Sequence, residues 1–113
     1  MIRAHTCEQP FHLDRQGRIA SPASSLAKLL GYKTKDMEGE RFDRYVTRED
    51  GPVFLEAVLQ AYRGRATRRV CIDMISQKNI NTEVDIRLEP EGYDVHGDVI
   101  SVKGTICRCH ERF

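Results

Sequence analysis

Residues 66–88 read ATRRVCIDMISQKNINTEVDIRL, and their periodicity decides the fold class. Val70, Ile72 and Met74 alternate with Arg69, Cys71 and Asp73; beyond a turn at Lys78-Asn79, Val84, Ile86 and Leu88 alternate with Glu83, Asp85 and Arg87. Successive side chains of a strand point to opposite faces, so a period of two marks strands with one apolar and one polar face. Such strands suit an antiparallel sheet covered on one side only. Downstream, Pro90 to Asp98 reads as a loop, and Val99 to Cys109 as a final strand broken at Gly104.

Upstream the period lengthens. In TREDGPVFLEAVLQAYRG (residues 47–64), Val53, Phe54, Ala57, Val58 and Ala61 form one stripe of a helix. Thr47 or Asp50 caps it, Pro52 is tolerated near its start, and Gly64 ends it. Residues 33–46 predict short helical turns around Gly39. In SPASSLAKLLGY (residues 21–32), Ser21 is placed to cap a short helix, Pro22 to open it and Gly31 to follow it. Phe11 to Asp14 alternates, Arg15-Gln16-Gly17 turns, and Arg18 to Ala20 starts a second strand. Two strands, several short helices and three longer strands predict an α+β domain with helices on one face of an antiparallel sheet.

Composition bounds the function. A chain of 113 residues fits one domain, and 18 basic against 17 acidic residues leave a net charge of +1, so no basic surface for nucleic acid is expected. No apolar run is long enough to span a membrane. MIRAHTCEQPFH at the start lacks the apolar core of a signal peptide. Together with Cys7, Cys71, Cys107 and Cys109, too sparse for a disulfide scaffold, this predicts a cytoplasmic protein with reduced thiols. The motifs G-x-S-x-G, G-x-x-x-x-G-K-[ST] and H-E-x-x-H do not occur, so an enzyme is not expected.

The same segments resemble the PAS, or sensory box, domain family over roughly residues 11–113. DRQGRIASPASSLAKLLGY (14–32) is similar to the family's D-x-x-G-x-I turn, small-residue–Pro–Ala helix and Leu-Gly-Tyr. MEGERFDRYVTREDG (37–51) is similar to its G-x-x-F and V-x-x-E-D segment, and GTICRCHERF (104–113) to its exit strand. The resemblance implies a five-stranded antiparallel sheet of order 2-1-5-4-3, with short helices packed on one face. It divides the chain into an N-terminal extension (1–10), the PAS domain (11–110) and the start of a linker (111–113) to an effector domain in a longer chain. It further implies a bacterial sensor kinase or cyclic-dinucleotide enzyme as the parent, a homodimer, and a signal leaving through Arg108, Cys109, His110 and Glu111. Arg108 and Cys109-His110 stand where the family usually has Asp and Ile-Thr, which puts the usual strand-to-linker contact in question.

Within that frame, Leu26, Leu30, Phe42, Tyr45, Phe54, Val58, Ile72, Met74 and Ile86 are candidates to line a small-molecule pocket, the alternative being a filled core. Histidine-ligated haem is not expected, because no histidine lies between His12 and His96. Photoactive flavin is not expected either, because residues 31–48 lack the family's reactive cysteine. A ligand-free dimerisation module is the main alternative function. CRCHERF (107–113) reads as a strand end running into a linker. Its cysteines sit ~6.6 Å apart along a strand, too wide for one zinc at ~2.3 Å from each sulfur unless the strand curls. A lesser alternative groups His5, Cys7, Cys107, Cys109 and His110 as a metal or thiol switch, since the first and last strands are expected to be neighbours.

Overall fold

The computed structural model describes residues 9–67 and 69–109. Strand β1 (Gln9–Leu13) is followed by helices α1 (Ser24–Leu30) and α2 (Thr34–Met37), a 3-10 turn (Phe42–Tyr45) and helix α3 (Gly51–Tyr62). Strands β2 (Val70–Ile75), β3 (Asn81–Tyr93) and β4 (Val99–Arg108) complete it. The sheet is antiparallel with four strands in the order β1-β4-β3-β2.

This is the expected order without its outermost strand. Residues 18–20 make only isolated bridges, Leu13 to Ile19 and Arg18 to Arg41. The reason lies in competing partners. Ala20 N–H bonds His12 O at 2.9 Å, while Ile19 N–H bonds Glu40 O and Gly39 N–H bonds Ile19 O, each at 2.8 Å. The segment is shared between β1 and residues 39–41, so no ladder develops on either side.

Three features differ from the sequence reading. Helix α1 starts at Ser24, with Ala23 rather than Ser21 at its N-cap; the Ala23 N–H is satisfied by the Glu38 carboxylate at 3.0 Å. Strand β3 runs through Pro90 to Tyr93. Leu88 directs its N–H away from β4, to Thr67 Oγ1 at 2.9 Å. Two residues on, Pro90 faces the same way, past the end of β2, so its missing N–H costs no ladder bond. A register shift between Pro90 and Gly92 absorbs the remaining irregularity. Helix α3 buries Phe54, Ala57 and Ala61, but Val53 is 44% exposed and Val58 half-buried, so the buried stripe is narrower than expected.

Gly104 does not break β4; it seats a ring. It pairs with Phe11 across β1 and β4, and a Cβ built on it would stand 2.2 Å from Phe11 Cζ. The Phe11 ring therefore lies over bare backbone and packs with Phe42 at 5.0 Å between centroids, which packs with Phe54 at 4.6 Å. Around this column the helices and one sheet face form one core, including Leu13, Ile19, Leu26, Leu30, Met37, Ile72, Met74, Ile86, Leu88 and Ile106. Each such side chain contributes roughly 1.5–3 kcal/mol on burial.

Side-chain contacts lock the turns to this core. Asp14 Oδ1 accepts from Gln16 N–H and Arg18 N–H at 2.8 and 2.9 Å, and Gly17 takes φ +78°. Tyr62, at the end of α3, donates its hydroxyl to Asp14 O. Asp50, just before α3, accepts from Asp73 N–H at 2.7 Å, and Thr47 N–H bonds Asp73 O at 3.0 Å, covering part of the free edge of β2.

Gly104→Ala should destabilise the fold by about 1–3 kcal/mol through overpacking against Phe11. Urea unfolding measures this, and Phe11→Leu in the same chain should recover part of the loss. Burial raises the Tyr62 hydroxyl above its ordinary pKa of 10.0, so the neutral form stabilises the fold. That contribution is complete below pH 10 and is lost as pH rises through the folded value. Thermal unfolding between pH 9 and 11 should show a steeper decline for the wild type than for Tyr62→Phe.

Candidate functional site

The expected pocket residues converge on the core. Leu26, Leu30, Phe42, Phe54, Ile72, Met74 and Ile86 are at most 3% exposed, Tyr45 is 6% exposed, and Val58 stands at the margin. Phe11 and Tyr32 also belong to this set and were missed. Tyr32 meets Tyr45 edge to face at 4.9 Å and donates its hydroxyl to Ile75 O at 2.9 Å. The signal for Phe11 was present in the alternation of residues 11–14, but its pairing with Gly104 is a property of register. The stacked rings of Phe11, Phe42 and Phe54 occupy the space between helices and sheet that a ligand would share.

The exit end of the sheet carries the second group. Arg108 pairs with Val84, on the helix-facing side of the sheet, and its Nη2 donates to Leu29 O at 3.0 Å. Leu29 lies in the last turn of α1, where carbonyls lack intrahelical partners and a cation is favoured. The departure from the family's acid thus still yields a contact, directed at a helix. Arg108 Nε is buried with no partner among the described residues. A cleft of about 460 Å³ opens beside it, bordered by Lys28, Gly31, Gln77, Lys78 and Thr82. His110 and Glu111 lie outside the described residues.

The third group is on the outer face of the sheet. Cys71 on β2 and Cys107 on β4 both sit opposite Asp85 on β3, and Cys109 follows the end of β4. Cys71 Sγ and Cys109 Sγ are 3.1 Å apart. Cys109 donates to Asp85 Oδ1 at 3.3 Å and Cys71 to Glu83 Oε2 at 3.2 Å. Asp85 and Cys109 are buried, at 5% and 7% exposure, whereas Cys71 is exposed. Partial burial raises both thiols above their ordinary range; the contact between them raises Cys71 further and opposes the rise at Cys109, and the neighbouring carboxylates add to both. Cys71 and Cys109 are free, but Cys107 is disulfide-bonded, which corrects the expectation of reduced thiols throughout. Cysteine partners are set by the pairing of strands, which spacing alone does not reveal. Of the ligand set read from the termini, His5, Cys7 and His110 lie outside the described residues. Cys109 instead joins Cys71 and Asp85, whose ligand atoms lie within 4.8 Å of one another.

No family model matches the sequence, and no curated protein matches it. Solved structures do. The PAS domain of a protein from Colwellia psychrerythraea superposes with a TM-score of 0.78 at 16% identity, covering 96% of this chain and 92% of that one. The PAS-B domain of Cycle from Drosophila melanogaster, with bound ethylene glycol, gives 0.74 at 11% identity, over 88% and 97%. The N-terminal domain of a diguanylate cyclase with a PAS/PAC sensor from Marinobacter aquaeolei gives 0.74 at 15% identity, over 89% and 94%. The chain has the PAS domain fold.

Replacing Arg108 with alanine removes a charge-assisted bond and strands the Leu29 carbonyl. The expected cost is about 1–2 kcal/mol in urea unfolding. Faster amide exchange at Gly31 and Tyr32 should accompany it if the contact holds the end of α1.

Proposed function

We propose that this chain is a PAS sensory and interaction domain of a bacterial signalling protein, of the sensor kinase or cyclic-dinucleotide enzyme type. It acts in the cytoplasm as a homodimer, without catalysis of its own. The reading rests first on the fold, which extends over nearly all the described residues. The observation that carries the signalling part is Arg108. It joins the last turn of α1 to the end of β4, so a shift of the helices against the sheet would reach the strand that leads toward residues 110–113. The signal passes from there to an effector domain in the full-length chain. A ligand or partner drives this only by binding two arrangements unequally. The disulfide at Cys107 pulls against the cytoplasmic placement, since such bonds persist chiefly in oxidising compartments.

The aromatic column favours a second reading, a ligand-free dimerisation module, because it fills the interior with the protein's own side chains. Native and denaturing mass spectra of the chain purified without chelator separate the two. The sensory reading expects a dimer carrying a small-molecule mass in the native spectrum alone. A bare dimer would favour the dimerisation module, and a bare monomer that remains monomeric at high concentration would overturn both.

A further inference from the structure

We infer that Cys71, Cys109 and Asp85, with Glu83 beside them, form a site for a borderline-soft divalent cation such as zinc on the outer face of the sheet. The observation is independent of the sensory reading, because it rests on strand pairing and donor chemistry alone. Sulfur is the soft donor that selects such ions over magnesium or calcium, and zinc accepts both cysteine sulfur and aspartate oxygen as ligands. The three ligand atoms already lie within 4.8 Å of one another, drawn from β2, β3 and the end of β4. The Glu83 carboxylate, 3.2 Å from Cys71 Sγ, borders this group without belonging to the three that lie within 4.8 Å. Exposed Cys71 leaves the ion a route from solvent to the buried Asp85 and Cys109.

Geometry separates this site from a disulfide. Sulfurs bound tetrahedrally at ~2.3 Å from one ion stand roughly 3.8 Å apart. The present Sγ–Sγ distance is 3.1 Å, so the pair opens by somewhat more than half an ångström to admit a cation. A disulfide at ~2.04 Å requires closure by about 1 Å instead. On binding, the ion displaces the two thiol protons and bonds both sulfurs and the Asp85 carboxylate. It thereby ties the end of β4 to β2 across β3.

The test uses the full chain, freed of metal under anaerobic conditions with Cys71 and Cys109 confirmed as thiols. Titration with cobalt(II) should give one equivalent of a species with thiolate-to-cobalt charge-transfer absorption, which zinc then abolishes by displacement. Zinc should slow alkylation of Cys71 and Cys109 together by about tenfold or more, read peptide by peptide by mass spectrometry. Cys71→Ser should lose half or more of the charge-transfer intensity, and Asp85→Asn should bind at least about 10-fold more weakly, no less than the loss of a partner that only orients a ligand. Should a variant fail to fold, the alkylation of the wild-type chain decides. The site is overturned if cobalt gives no charge-transfer band. It is equally overturned if both thiols react at the metal-free rate with zinc present.

Discussion

The ring of Phe11 lying on the bare backbone of Gly104 is the contact on which the rest of the structure depends. It brings the centre of β1 down onto β4, and so sets where the helices sit. Phe42 stacks on Phe11 and Phe54 on Phe42, so the 3-10 turn and α3 take their distance from the sheet from this column. Tyr62 then ties the far end of α3 to the turn after β1. A sheet covered on one face by short helices has few long helix contacts to hold it, and the aromatic column supplies the spacing that longer helices would otherwise provide.

The two faces of the sheet have different chemistry. The inner face is apolar up to Arg108, where a cation meets the carbonyl end of α1. The outer face presents Glu83, Asp85 and Cys71, with Cys109 completing the group just past the strand. Both groups meet near the end of β4. Whatever binds or moves at either one acts on the same short stretch of backbone.

Much of the architecture was legible in the chain. The alternation of Val70, Ile72 and Met74, and of Val84, Ile86 and Leu88, marked the inner face, and Gly31 ended α1 with φ +82° as its position suggested. The illegible parts share one cause. Residues 18–20 look like a strand, yet their backbone groups are divided between two partners. Pro90 looks like a strand end, yet it sits beyond the reach of β2. Gly104 looks like a break, yet it makes room for a ring 93 positions away in the chain. In each case the local signal was real and a neighbour brought in by pairing decided its meaning.

By itself, then, the sequence determined the α+β class, the polar and apolar face of the long strands and most residues of the core. These follow from periodicity, and periodicity is local. Only the tertiary structure decided that Cys71 meets Cys109 and Asp85, that Arg108 reaches Leu29, and that Phe11 needs Gly104. Those contacts depend on strand register, and a shift of one residue would send each side chain to the opposite face.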